Sequence, residues 1–239
     1  MAEEVRKLGI YIPSYNRADT IKTHTILEYY KVVVRKSQEE DYAKTVPREN
    51  IWAVPDEEID SMIKVWNYVI NNAPEDIICT LGDDMGDCIY RLDTNEKVTD
   101  PVVVTSEIER IAQLMCDLKI GFGAVTASIV PYGYDAEFAW KGIPGGIDWF
   151  NKQVYKAHYR EEIGYCCDTD VVFQELITNR ICLFPKYFCS HGGTDTNKGG
   201  NSKKSRQSMI DSFIKMKKEW GKYFKYDLKT NKVYNLVKR

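Results

Sequence analysis

Short apolar segments that end in polar turns recur along the first half of the chain. Each is four to seven residues long, which is the length of a strand and too short for a typical helix. They lie at 8–12, 31–35, 51–54, 77–81 and 124–130. Because helical patterns separate several of them, the order predicts an α/β fold with a mostly parallel sheet. Ligands in such folds bind at the carboxyl ends of the strands.

Helices are expected where apolar residues recur every three or four positions. The candidates are a segment from about residue 17 to 30, residues 57–72, a segment opened by the capping-box pattern Ser106-x-x-Glu109, residues 170–179 and residues 204–220. A strand is expected over 181–184 and a loop over 190–204. No apolar run reaches 18 residues, and the first residues lack the apolar stretch of a signal peptide. We therefore expect a cytoplasmic protein without a membrane partner.

The formal net charge of −2 conceals two oppositely charged parts of the chain. Residues 198–239 contain 13 Lys or Arg and three acidic residues, a net charge of +10, so residues 1–197 carry −12. This asymmetry favours a polyanionic partner for the basic end, although a solvated lysine-rich helix has the same composition. Aromatic residues are interleaved with the lysines, as in grooves that bind nucleic acid: Phe213, Trp220, Tyr223, Phe224, Tyr226 and Tyr234. For Phe213 and Trp220, a position in the core of a terminal helix is the simpler interpretation.

The seven cysteines show no spacing typical of a disulfide framework, and no CxxC pair is present. We therefore expect reduced thiols in the core and no structural zinc site.

Three carboxylates, Asp83, Asp84 and Asp87, lie within five residues directly after the strand at 77–81. Like charges this close are unfavourable unless a cation or strong donors neutralise them. Mg²⁺ and Mn²⁺ bind one or two carboxylates together with phosphate oxygens, which makes a metal site the preferred interpretation over a solvated acidic turn. Asp84 is the first candidate ligand, because side-chain alternation places it on the opposite face from Asp83.

Two arginines follow the first two predicted strands. Arg17 lies in the turn after the first strand and Arg35 ends the second. Both could reach the same edge of the sheet and bind nucleotide phosphates, with Tyr15 as a stacking surface.

Further candidates lie in the second half of the chain. Asp168 and Asp170 precede or open a helix, where an acid is either a cap or a general base. His191 lies in a Gly-rich loop that could bring its imidazole to a metal–phosphate site. The segment 142–149 could supply an acceptor-side loop, through Gly145 and Gly146, and the stacking ring of Trp149.

Three segments resemble one group of enzymes. Residues 10–17, Ile-Tyr-Ile-Pro-Ser-Tyr-Asn-Arg, resemble the opening motif of GT-A glycosyltransferases, and residues 77–85, Ile-Ile-Cys-Thr-Leu-Gly-Asp-Asp-Met, resemble their metal-binding DxD strand. Together with residues 32–38, Val-Val-Val-Arg-Lys-Ser-Gln, and with Tyr42, the pattern is most similar to the TET-associated glycosyltransferase family. That family comes mainly from phages and glycosylates hydroxymethylated pyrimidines in DNA.

The resemblance implies a GT-A catalytic domain, with a Rossmann-like nucleotide-sugar-binding sheet, over residues 1–197. It also implies a basic helical extension over 198–239 that packs on this domain. The implied contacts to a UDP-sugar come from Pro13, Ser14, Tyr15, Arg17, Arg35 and Asp83. Asp84 and His191 would bind Mn²⁺ or Mg²⁺, and Asp168 or Asp170 would be the acceptor-side base. One departure is Gly82, which stands where the family pattern has an acid, so that Asp83 or Asp87 would substitute for it.

We predict metal-assisted transfer of a hexose, with glucose as the expected sugar, from a UDP-sugar to the hydroxyl of a hydroxymethylated pyrimidine in DNA. The metal and the arginines would neutralise the departing diphosphate, and a carboxylate would take the proton of the acceptor. A phage-encoded enzyme would act in the host cytoplasm. Three other functions stay open: a GT-A glycosyltransferase acting on a glycan or protein, a nucleotidyltransferase of related fold, and a catalytically inactive nucleic-acid-binding module.

Overall fold

A computed structural model describes residues 7–91, 94–126, 136–191, 205–230 and 232–238. The strands are β1 Leu8–Pro13, β2 Lys31–Arg35, β3 Ile51–Val54, β4 Ile77–Leu81, β5 Asp87–Arg91, β6 Asn95–Val98, β7 Phe122–Ala124, β8 Phe138–Ala139, β9 Ile147–Asn151, β10 Phe184–Pro185, β11 Phe188–His191, β12 Phe224–Asp227 and β13 Lys232–Asn235. The α-helices are α1 Glu39–Tyr42, α2 Met62–Asn72, α3 Pro101–Asp117, α4 Cys167–Thr178 and α5 Arg206–Trp220.

The central sheet has six strands in the order β3-β2-β1-β4-β9-β7. The first four are parallel to one another, whereas β9 runs antiparallel to both β4 and β7. The predicted α/β fold with a mostly parallel sheet is therefore confirmed. Because β9 is antiparallel, its first residues lie beside the carboxyl end of β4, with Ile147 opposite Leu81.

Helices cover both faces of the sheet. Apolar residues of α3, such as Ile108 and Ile111, pack on one face, whereas α2 and α4 pack on the other through Val69 and Val172. A second, three-stranded sheet has the order β11-β5-β6 and begins directly after the acidic turn that follows β4. A smaller core joins α5 and the β12–β13 hairpin to the segment before α4.

Several predicted boundaries change. The capping-box residues Ser106 and Glu109 lie inside α3, because Asp100 accepts the cap hydrogen bond from Val102 N and Pro101 occupies the first turn. The helix expected after residue 17 is reduced to the single 3-10 turn Thr23–Ile26.

The helix is reduced to one 3-10 turn because residues 22 and 23 form hydrogen bonds with the acidic turn after β4. Thr23 Oγ1 donates to Gly82 O at 2.5 Å, and Lys22 N donates to Asp83 O at 2.9 Å. These groups pair with the acidic turn instead of with a local helix.

Other elements are shorter than predicted or begin at a different residue. α2 begins at Met62, not 57, and the strand predicted over 181–184 is represented by β10 at Phe184–Pro185. Most of the loop predicted over 190–204, and the end of the strand predicted over 124–130, lie outside the described residues.

All seven cysteines are buried free thiols, as predicted. In the part of the chain that the structure describes, no helix is long and apolar enough to cross a membrane.

Candidate functional site

The turns after β1 and β4 meet at the carboxyl edge of the sheet, because these two parallel strands are neighbours. Ser14 Oγ donates to Asp83 Oδ2 at 2.5 Å and lies 2.6 Å from the hydroxyl of Tyr42. Arg17 Nη1 donates to Asp83 Oδ1 at 2.5 Å and lies 3.5 Å from Asp84 Oδ2. The first arginine and the acidic turn are therefore one cluster.

The two neighbouring aspartates of this cluster differ in exposure. Asp83 is buried, and burial raises its pKa, while hydrogen bonds from Ser14 and the charge of Arg17 oppose the increase. Both of its carboxylate oxygens accept bonds from within the cluster, so Asp83 positions Arg17 and Ser14. The side chain of Asp84 is 24 % exposed and is therefore the carboxylate of this pair that solvent reaches.

Arg35 and Tyr15 form the side of the site next to β2. The guanidinium of Arg35 lies 4.3 Å from the ring centroid of Tyr15. It is held in place by hydrogen bonds to the carbonyl oxygens of Ile59 at 3.2 Å and Asp60 at 2.6 Å. The buried Pro13 ends β1 at this edge. These residues lie where the sequence predicts them, and their role in nucleotide binding stays a prediction.

The third acid of the turn, Asp87, is hydrogen-bonded to His191, whereas the other two acids contact Arg17. The two residues lie opposite each other on β5 and β11, and His191 Nδ1 is 2.5 Å from Asp87 Oδ1. Lys97 Nζ lies 3.4 Å from the other oxygen of Asp87. A carboxylate bound to Nδ1 orients the imidazole and leaves Nε2 available to a ligand. The proximity of residues 87 and 191 arises only from the pairing of two strands and has no signal in the sequence.

The described residues include no group of three His, Cys, Asp or Glu side chains arranged around one metal position. Mg²⁺ and Mn²⁺ that hold a nucleotide diphosphate need only one or two protein ligands, since phosphates and waters supply the others. The partly exposed carboxylate of Asp84 and the imidazole of His191 are donor types that Mn²⁺ accepts. The chemistry of these two donors therefore fits such a cation, and their joint action as its ligands stays a prediction.

The loop predicted to face the acceptor is bonded to the same edge. Gly146 O accepts a hydrogen bond from Gly82 N at 3.0 Å, and Gly145 O accepts one from Ser190 Oγ. The φ of Gly146 is 105°, which favours glycine. Trp149 does not belong to this surface: its ring is fully buried and its Nε1 donates to Ile108 O at 3.2 Å. The prediction that Trp149 stacks on an acceptor is therefore wrong, because the ring faces the core.

The two candidate bases at the start of α4 have different environments. Asp170 is fully buried and accepts two hydrogen bonds from Arg160 at 2.6 and 2.8 Å. It also accepts bonds from Gln174 Nε2 at 2.7 Å and Trp220 Nε1 at 2.8 Å. Four donors occupy its oxygens and none of the side chain is exposed, so an acceptor hydroxyl cannot reach it and the prediction of Asp170 as a base is wrong. Asp168 is partly exposed and remains the candidate.

One acid that the sequence analysis did not single out is Asp148 on β9. It is 6 % exposed, and its Oδ1 is buried without a hydrogen-bond partner among the described residues. Burial, and then the charge of Asp168, raise its pKa well above the usual range. The available signal is an acid inside the apolar strand Ile-Asp-Trp-Phe.

The C-terminal segment packs beside α4. Ser212 Oγ accepts a hydrogen bond from Tyr165 N at 2.9 Å, and Arg160 links Asp170 to Glu219. Phe213 and Phe224 are buried, so these two aromatic rings belong to the core, whereas Tyr223 and Tyr234 are exposed.

No protein-family model and no curated protein sequence matches the chain. Among solved structures it is similar to the mannosyltransferase PcManGT from Pyrobaculum calidifontis in complex with GDP-Man and Mn²⁺, with a TM-score of 0.59 and 14 % identity over 90 % of this chain. It is also similar to TarS 1–349 from S. aureus, with a TM-score of 0.50 and 11 % identity over 88 % of this chain. The chain spans 65 % of the length of each of these structures. At such identities the likeness shows the fold alone: the chain shares the mixed α/β fold of these two structures, which agrees with the predicted fold class.

Proposed function

We propose that this chain is a glycosyltransferase that moves a hexose from a UDP-sugar to the hydroxyl of a hydroxymethylated pyrimidine in DNA, with the help of Mn²⁺ or Mg²⁺. The observation that carries the proposal is the cluster at the carboxyl edge of β1 and β4, where Arg17 and Asp84 lie together in a GT-A fold. This is the edge at which α/β sheets bind nucleotides. The fold neighbour with GDP-Man and Mn²⁺ supports a nucleotide-sugar donor.

The donor side is formed by Arg17, Arg35 and Tyr15. The guanidinium groups neutralise diphosphate oxygens as the bond to the sugar breaks. Asp83, which accepts a hydrogen bond from Ser14, holds Arg17 in position. Asp84 and His191, through Nε2, would hold the cation. A bound divalent cation supplies Lewis-acid stabilisation of the leaving diphosphate.

The acceptor side is formed by Asp168 and the loop that contains Gly145 and Gly146. Asp168 takes the hydroxyl proton of the acceptor as its oxygen attacks the anomeric carbon. This role corresponds to a single displacement with inversion at that carbon. The charge of Asp168 acts on Asp148, which follows this loop on β9.

The proposed DNA acceptor is supported by the outer face of the β12–β13 hairpin. Lys225 and Tyr234 are cross-strand partners, and Lys225 Nζ lies 5.6 Å from the centroid of the Tyr234 ring. Lys222 Nζ lies 5.3 Å from the ring of the exposed Tyr223. Exposed aromatic rings beside cations fit bases and phosphates. A base in a duplex must be flipped out before it can be modified.

The test is incubation of the full chain with DNA containing hydroxymethylcytosine or hydroxymethyluracil and a panel of UDP-sugars, followed by mass spectrometry of the nucleosides. We expect one sugar adduct that needs Mn²⁺ or Mg²⁺ and that decreases at least about 100-fold in Asp84→Ala. Asp117→Ala, an exposed acid at the end of α3, is the matched control.

Other outcomes decide between the alternatives. Full activity of Asp84→Ala in chelated buffer would remove the metal assignment. Donor hydrolysis without a DNA adduct favours a glycan or protein acceptor, and turnover of nucleoside triphosphates favours a nucleotidyltransferase. No binding of nucleotide sugars by calorimetry favours a catalytically inactive nucleic-acid-binding module.

A further inference from the structure

Asp148 occupies a position at the site edge that the proposed reaction does not yet use. It lies on β9 opposite Thr80 of β4, one residue before that strand ends. Two residues earlier, Gly146 is bonded to the backbone of Gly82 in the acidic turn. Asp148 therefore lies between the donor side, at β4, and the acceptor side, at α4.

The side chain of Asp148 faces the layer that contains α4. Its neighbours Ile147 and Trp149 belong to the opposite core, whereas Phe150 belongs to the same core as Cys167 and Val171 of α4. The charge of Asp168, in the first turn of α4, acts on Asp148. The two carboxyl groups are thus electrostatically coupled across the gap between β9 and α4.

The surroundings of Asp148 do not stabilise a negative charge. Its Oδ1 has no partner among the described residues, and the same holds for the buried hydroxyls of Tyr155 and Tyr159. An ionised carboxylate in such a place is strongly unfavourable. Among the described residues, the titratable groups that interact with it are Asp168 from α4, Cys79 from β4, and the two tyrosines, and none of these is a cation.

We propose that Asp148 is a positioning residue that acts on the base Asp168 as a neutral, proton-carrying carboxyl group. This inference rests on the proposed function. In the transfer step the acceptor oxygen bonds to the anomeric carbon, the bond from that carbon to the diphosphate breaks with its electron pair on the diphosphate, and the hydroxyl proton goes to Asp168. Asp148 exchanges no proton in this step.

The neutral form of Asp148 serves the step in two ways. It adds no second negative charge at an edge where the departing diphosphate accumulates charge. It also places no like charge beside Asp168, the carboxylate that takes the proton of the acceptor. Asp168 is the more exposed of the two residues, so the acceptor can reach it.

The direct test is a carboxyl ¹³C NMR titration of the full chain labelled at aspartate, with Asp148→Asn and Asp168→Asn used for assignment. We expect the Asp148 signal to remain that of a protonated acid at pH 7, and the Asp168 titration to change little in Asp148→Asn, which keeps a neutral group at that position. Asp117→Asn should leave both signals unchanged. An Asp148 signal that titrates below about pH 5, like an ordinary aspartate, would overturn the proposal. This measurement needs no enzyme activity, so it stands apart from failure of the proposed function.

The kinetic test compares two variants in the transfer assay. Asp148→Ala should lower kcat at least about tenfold, whereas Asp148→Asn, which keeps a neutral polar group, should lower it about threefold or less. The KM for the donor should change less than about twofold in both. Equal losses in both variants would contradict a neutral role, because asparagine fails as badly as alanine only where the charge itself is needed.

Discussion

The clearest prediction separates the two aspartates at the start of α4. Asp170→Ala removes a fully buried carboxylate that binds Arg160, Gln174 and Trp220. Loss of one partner of a buried ion pair costs about 3–5 kcal/mol. Because Arg160 keeps Glu219 at 2.9 Å and is 18 % exposed, we expect the lower end of that range, about 3 kcal/mol.

The matched variant is Asp168→Ala. Asp168 is partly exposed in the first turn of α4, where an acid interacts with the helix dipole, so its loss should cost about 1 kcal/mol or less. Urea unfolding at 25 °C, followed by tryptophan fluorescence and circular dichroism, measures both values. For a chain of this size the loss of about 3 kcal/mol in Asp170→Ala corresponds to a decrease in Tm of about 6–12 °C.

Activity should show the opposite order. At a temperature at which both variants are folded, Asp168→Ala should lose about 100-fold or more of the transfer rate, and Asp170→Ala far less. The double variant Asp170→Ala, Arg160→Met should recover part of the lost stability, since the cation left by the single change is gone. Equal unfolding free energies for the two single variants, with transfer abolished in Asp170→Ala, would refute the reasoning.

Three further predictions concern the rest of the site. Asp87→Ala should weaken Mn²⁺ binding about 10–100-fold, measured by electron paramagnetic resonance of free Mn²⁺, because His191 loses the group that orients it; unchanged affinity would exclude this role. Arg17→Ala should abolish donor binding in calorimetry and destabilise the chain by about 1–3 kcal/mol in urea, because the buried Asp83 loses its cation; a stable variant with normal affinity would contradict this. Lys225→Ala should reduce the slope of log affinity for DNA against log salt by about one; a flat salt dependence of the parent chain between about 50 and 200 mM would exclude a DNA interface.

Much of the fold follows from local patterns. The apolar strands at 8–12, 31–35, 51–54 and 77–81 appear at nearly the predicted positions, because a buried parallel strand must be apolar on both faces. The expected helix after residue 17 does not form, because its backbone pairs with the turn after β4. This pairing joins residues more than 50 positions apart in the chain, so no local sequence pattern could predict it.

In the candidate site too, some features follow from the sequence and others depend on tertiary contacts. Sequence alone placed Ser14, Arg17 and the acidic turn at one edge, because neighbouring parallel strands bring their carboxyl ends together. It could not distinguish Asp168 from Asp170, since both have the spacing of helix-start acids. Only the position of Arg160 and Trp220 in space decides which of them is buried and bonded.

The sequence by itself determined the class of fold and the separation of an acidic body from a basic end, because these depend on residue type and order. It also predicted the edge of the sheet at which ligands bind. The tertiary structure alone decided which carboxylates are available. Burial and hydrogen bonding assign Asp170 to the core, pair Asp87 with His191 and remove Trp149 from the surface. They also leave Asp148 Oδ1 without a hydrogen-bond partner among the described residues. A carboxylate's role depends on the charges and donors around it in space, and these come from distant parts of the chain.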